Sequence, residues 1–135
     1  MQESAAVTDA WLRFCDGVSN GRLDQFDDIV SEEAKLIIGT APGENVSDRN
    51  AMKFGFETEG ITLQSRSALG FEEGSLGWVV DEPAFGFPDG TGMECRVTAI
   101  VRKEGGTWRL VHAHFSVGVP DDEVVALQRK WSGDS

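Results

Sequence analysis

The sequence predicts an α+β domain, and three observations carry that prediction. The amino-terminal third repeats apolar residues at helical spacing, with Val7, Trp11, Phe14 and Val18 at intervals of four, three and four forming one stripe. From Ile61 onward the pattern changes to the alternation of strands, and helices followed by a sheet is an α+β order. The third observation is the run TWRLVHAHFSVG, from Thr107 to Gly118. As a strand it places Trp108, Leu110, His112, His114 and Ser116 on one face and Arg109, Val111, Ala113, Phe115 and Val117 on the other. Neither face is plainly solvent-like. Such a strand belongs between two packed layers, one of them supplied by a cavity or a partner subunit.

Taken in order, Ser4 is the expected cap of the first helix, and Asn20-Gly21 marks its end. A second helix is expected from about Arg22 to Val30, with Leu23, Phe26, Ile29 and Val30 turned inward. A short strand, Ala34 to Ile38, leads to the loop GTAPGEN, whose glycines and proline break regular structure. Ser47 or Asp48 caps a third helix through about Phe56 that carries Met52, Phe54 and Phe56. Strands are then expected at Ile61 to Leu69, at Gly74 to Asp81 and at Gly92 to Lys103. Glu104-Gly105-Gly106 is a tight-turn signal that pairs the last of these antiparallel with the Trp108 strand. Pro120 and the acids Asp121, Asp122 and Glu123 open a closing helix with the stripe Val124, Leu127, Trp131.

Composition narrows the function classes. A chain of 135 residues with 40% hydrophobic content is expected to be one globular domain, spanning residues 1–135. Twelve basic against twenty-three acidic residues give a net charge of −11. That surface repels phosphate backbones and anionic lipid, so nucleic acid and membrane are not expected partners. The start, MQESAAVTDAW, has no basic segment followed by an apolar core, and a cytoplasmic location is expected. Cys15 and Cys95 lie far apart without metal-ligand spacing, and read as two partly buried free thiols. No Walker loop, GxSxG elbow, HExxH or GxGxxG occurs.

The strand pair RVTAIVRKEGGTWRLVHAHFS (Arg96 to Ser116) resembles the SnoaL-like branch of the nuclear transport factor 2-like superfamily. There a long strand, a charged glycine-containing turn and a Trp-led strand ending in His-x-His-x-Ser form the signature. The order of helix, helix, strand, helix and long antiparallel strands is similar as well, and so is the ending of the association domains of calcium/calmodulin-dependent kinases. The resemblance implies a curved antiparallel sheet packed against amino-terminal helices, a conical pocket, and dimerisation through the outer sheet face. With the register of the association domains, Arg109, Val111, Ala113 and Phe115 face the pocket and the histidines face the dimer. Phe115 stands where those domains can carry arginine, and Ala99 where they can carry a basic residue, so anion binding by these positions does not transfer.

Candidate chemistry follows from residue types. His112 and His114, the only histidines, read as metal ligands with Glu94 or Cys95, as acid/base groups, or as packing residues. Ketosteroid isomerase chemistry needs a carboxylate base and donors for the enolate oxygen. This chain has no tyrosine, and the strand AKLIIGT holds no carboxylate, so that mechanism does not transfer directly. Substitute bases are Asp9 and Asp16 on the first helix and Glu57 and Glu59 after the third. Arg66 and Arg96 sit on expected strands, each able to clamp a substrate carboxylate or pair with a neighbouring acid. Trp11, Phe14, Phe54, Trp78 and Phe115 are the expected lining of a ligand cavity, together with Arg96.

Two functions are therefore expected. One is a binding protein for a small apolar or weakly polar molecule, extending to cofactor-independent isomerisation, cyclisation or dehydration. The other is a non-catalytic homodimeric association module. Neither a cofactor nor a metal is expected.

Overall fold

The computed structural model describes residues 1–37 and 47–133. The main sheet has seven strands: β1 (Gln2–Glu3), β2 (Val30–Ile37), β3 (Ser47–Asp48), β5 (Leu69–Glu73), β6 (Leu76–Asp81), β9 (Arg96–Glu104) and β10 (Thr107–Ser116). Their order across the sheet is β1-β5-β6-β9-β10-β2-β3. A second sheet joins β4 (Thr62–Gln64), β7 (Ala84–Gly86) and β8 (Gly92–Glu94). The helices are α1 (Ala5–Ser19), α2 (Phe26–Ile29), α3 (Arg49–Glu57) and α4 (Asp121–Trp131). The expected GTAPGEN loop lies outside the described residues.

α1 forms where the apolar stripe and its cap place it. The Ser4 hydroxyl accepts from Val7 N at 3.1 Å, and Val7, Trp11, Phe14 and Val18 are all buried. The helix lies across the inner face of the main sheet, against Val79, Val97, Ala99, Val101, Leu110 and Ala113. Gly17 is required by packing, because a β-carbon there would stand 2.4 Å from the Phe56 ring. That ring is held by Phe14 and Phe26 at centroid distances of 5.6 and 5.1 Å and has nowhere to retreat. Overpacking of this kind costs up to about 3 kcal/mol, while alanine returns about 1 kcal/mol of helix propensity. Gly17→Ala is therefore expected to destabilise the fold by about 1–2 kcal/mol in urea unfolding. An unchanged midpoint would show that the aromatic cluster yields freely.

Several elements depart from the sequence pattern. The second helix is short: a 3-10 turn at Leu23–Gln25 precedes α2, and Leu23 is exposed. Val30 instead opens β2, because it pairs with Leu110 of β10 in parallel, making this pair the parallel exception in an otherwise antiparallel main sheet. The expected strand Ile61 to Leu69 splits at Ser65–Ala68, where the backbone turns towards Asp81 and feeds two different sheets. The Gly92 to Lys103 strand splits at Cys95, whose amide bonds to Pro83 O at 2.9 Å.

The Trp108 strand contains the most consequential departure. Pairing of β10 with β9 shifts between Leu110 and His112, leaving Val111 as a bulge. Trp108 and Leu110 face the core before the bulge, and Ala113 and Phe115 face it afterwards. The resemblance-based register therefore holds for Ala113 and Phe115 and fails for Arg109 and Val111, because one extra residue reverses the phase of the alternation. His112 and His114 point to the outer face. α4 forms at its expected place, but none of its residues is buried.

Candidate functional site

Two of the concavities among the described residues hold the candidate side chains, one on each side of the main sheet. The first is an apolar cavity of about 180 Å³ between α1, α3 and the small sheet. Phe14, Val18, Met52, Phe54, Ile61, Leu63, Phe85, Phe87 and Phe115 line it, and no lining side chain is ionisable. α1 delivers Phe14 and Val18 from its apolar stripe, and the shifted half of β10 delivers Phe115. Phe54 stands at the rim on α3 and is 63% exposed, because Met52 and Phe56 occupy the buried side of that short helix. Deeper in the cone the space is filled rather than empty. Trp11 stacks on Phe14 at 5.3 Å and meets Phe115 at 6.1 Å, and Phe115 meets Phe85 at 5.6 Å.

At the inner end of this aromatic column lies Asp81, a residue that the sequence pattern did not single out. It is only 4% exposed, and its carboxylate is fully engaged. Trp11 Nε1 donates to it at 2.8 Å, and the backbone amides of Ser67 and Glu82 donate at 2.8 and 2.7 Å. Burial by itself raises its pKa, but these donors and the Ser65 hydroxyl together outweigh it and hold the group below its ordinary value. Asp81 is therefore a charged structural anchor, with its lone pairs committed to donors. An acid/base catalyst of this fold would need the opposite shift. Cys15 lies near enough for burial, and secondly the charge of Asp81, to drive its thiol pKa well upward. It is an unreactive core thiol. Cys95 is also buried and reduced, with its pKa raised by burial.

The second concavity is an open polar depression of about 380 Å³, lined by Ser67, Leu69, Val80, Asp81, Glu82, Arg96, Thr98, His114 and Ser116. Arg96 and His114 come together here because Arg96 pairs with Ser116 and Thr98 with His114 across β9 and β10. Among the described residues Arg96 takes part in no ion pair. Arg66, in contrast, binds Glu94 at 2.8 Å and the Glu82 carbonyl at 2.6 Å, which is the pairing role weighed for it. His112 donates from Nδ1 to the Lys35 carbonyl at 2.7 Å.

The remaining candidates separate from the cavity. Trp78 is on the outer face of β6, stacked on Phe71 at 4.6 Å, and not in the cavity expected to receive it. Arg96 lies on that same outer face. Their strand alternation turns the neighbours Gly77, Val79 and Val97 inward instead. Asp9 is exposed on α1, and Asp16 is exposed and bound to Arg22 at 2.6 Å. Glu57 and Glu59 are exposed after α3. Among the described residues, no three metal-capable side chains converge around the histidines or elsewhere. Asp81 was hidden in the sequence because, apart from the adjoining Glu82 amide, its donors come from α1 and the Ser65–Ser67 turn, both remote along the chain. Its one local signal was its position at the end of an apolar strand, on the inward phase.

Comparison with known proteins places this geometry in a family. A protein of unknown function from Pseudomonas putida, described as NTF2-like, superposes with a TM-score of 0.70 at 14% identity, covering 91% of this chain and 94% of that one. A ketosteroid isomerase candidate from Shewanella frigidimarina gives 0.66 at 15% identity, over 84% and 96% of the two chains. The association domain of Caenorhabditis elegans CaMKII gives 0.65 at 14% identity, over 81% and 91%. At these identities the likeness is one of fold. Among curated protein sequences none matches. Among the described residues no helix is long and apolar enough to cross a membrane. The SnoaL-like domain profile matches residues 7–120, the helices, the cone and both long strands, and the chain belongs to that SnoaL-like family of the NTF2-like fold.

Proposed function

We propose that this protein binds a small apolar molecule at the mouth of its cone, without acid/base chemistry at that cavity. The observation that carries this reading is the lining, which is aromatic and aliphatic throughout and offers no proton-transfer group. Its volume of about 180 Å³ is of the order that accepts a single aromatic ring, since engineered apolar cavities of about 150 Å³ take up benzene. The exposed Phe54 ring gives an incoming ligand a wall to stack on.

Titration with benzene and toluene, followed by calorimetry and by amide chemical shifts, tests the reading. Binding is expected with shifts confined to α1, α3 and the small sheet. Phe54→Ala should weaken it about three- to tenfold, the worth of one aromatic contact. Phe54 is exposed, so the fold should survive the change. Failure of both probes to bind, or shifts centred elsewhere, would sink the proposal.

A second reading is favoured by a separate observation. The outer face of the main sheet carries two adjoining rows across its strands: Leu69, Val80, Thr98, His114 and Ile37, then Phe71, Trp78, Ile100, His112 and Lys35. Most of these side chains are apolar and at least partly exposed. A face of that composition supports self-association of two copies. Sedimentation equilibrium over a range of concentrations reads it directly, and a monomer throughout would exclude it.

A further inference from the structure

We infer that Gly55 sets the size limit of the apolar cavity, reserving the space of one small alkyl group beside a single uncharged ring. This rests on the binding proposed above and names the ligand class that the cavity selects.

The helices set the problem. α1 and α3 each carry one glycine, Gly17 and Gly55, and after proline glycine is the least favourable residue in a helix. Two structural needs ordinarily keep one there, a left-handed backbone or a close approach. Gly17 answers to the second, since its β-carbon would run into the Phe56 ring. Gly55 answers to neither. Its φ is not positive, unlike that of the turn glycines. A β-carbon at 55 would meet Val18 Cγ1 and Cγ2 at 3.7 Å, which is ordinary van der Waals contact, with nothing closer among the described residues. Both glycines stand where α1 meets α3, yet alanine fits at one and not at the other.

What Gly55 does adjoin is the cavity. Gly55 and Ala51 lie one turn apart on the same side of α3 and both line it, so the two smallest residues of the helix form this wall. The Val18 methyls that a new β-carbon would touch line the same cavity. A methyl at 55 is therefore added to the wall and taken from the ligand. The opposite walls are braced against one another. Phe85 lies parallel to Phe87 at a centroid distance of 6.0 Å and meets Phe115 at 5.6 Å.

Size then gives the ligand class. The volume of about 180 Å³ exceeds the roughly 150 Å³ that takes up benzene by about the space of one methyl group. The lining has no ionisable group to hold a charge. An uncharged single ring with one small alkyl arm fills such a space, and alanine at 55 removes about the room that the arm needs.

Calorimetric titration of the full chain with benzene and with toluene, beside urea unfolding, tests this. The wild type is expected to bind toluene about fourfold more tightly than benzene, the worth of one buried methyl. Gly55→Ala should keep the benzene Kd within about twofold and weaken toluene at least about fourfold, which abolishes the preference. It should also raise the urea midpoint, because alanine favours the helix. Phe54→Ala, at the rim, should weaken both ligands alike and keep the preference. A Gly55→Ala protein that keeps the preference, or that weakens both ligands equally, overturns the role of Gly55 while leaving the cavity a binding site. A lowered midpoint overturns it too, since the glycine would then serve packing. A wild type that binds neither ligand overturns the binding itself.

Discussion

Replacing Trp11 with alanine is expected to cost about 3–5 kcal/mol of folding free energy, read by urea unfolding at neutral pH. The ring has no solvent exposure and sits where α1 meets the sheet, against Phe14 and Phe115. The substitution opens a cavity in the aromatic column and strips Asp81 of its indole donor. Trp11→Phe reduces the packing loss, since it keeps an aromatic ring in the column while removing the N–H and part of the indole. Losing a hydrogen bond to a buried charged group costs about 1.5–3 kcal/mol. An alanine variant within about 1 kcal/mol of wild type would remove Trp11 from the centre of the core.

The carboxylate on the other side of that bond makes the prediction depend on pH. Asp81 is held below its ordinary value, so on acidification the unfolded chain takes up this proton before the folded one does. Its stabilising contribution is complete above the unfolded pKa and disappears as pH falls through the folded one. Asp81→Asn is therefore expected to be less stable than wild type at neutral pH. It should also lose less stability than wild type on acidification from about pH 5. Parallel stability curves for the two proteins would contradict a depressed pKa.

Trp108→Ala is expected to have an effect of similar size, about 3–5 kcal/mol. Trp108 is 8% exposed on the inner face, with the Lys103 ammonium 6.0 Å from its ring and its carbonyl held by Arg13 Nη2 at 3.0 Å. His114→Ala, six residues along the same strand, should change stability by less than about 0.5 kcal/mol, because His114 is exposed on the outer face. Sequence alternation alone puts these two residues on one face, so the contrast measures the bulge at Val111 directly. Equal and large losses at both positions would argue for an unbroken strand.

Much of the architecture was legible because it is encoded locally. Ser4 and Asp48 cap their helices through their own side chains, reaching amides two or three residues ahead. Glu104 to Thr107 closes the long hairpin in the expected register. The aromatic residues Trp11, Phe14 and Phe115 were recognisable as interior from spacing and resemblance. Trp78 was not, because a half-buried outer face and a cavity wall leave the same apolar alternation in a strand. Arg96 reads in the sequence as a strand arginine that either clamps a ligand or pairs with an acid, and its place on the outer face depends on how β9 sits between β6 and β10.

By itself, then, the sequence determined the kinds of element, their order, their caps and the family to which the chain belongs. These depend on residues within a few positions of one another, and on a motif that lies within one hairpin. The tertiary structure decided which face each strand turns inward, where Asp81 finds its donors, and that α4 covers its apolar stripe only in part. Those outcomes depend on one extra residue at Val111 and on contacts between segments about 70 residues apart, such as Trp11 with Asp81. A periodic pattern records that a side chain is apolar, and only packing assigns it a neighbour.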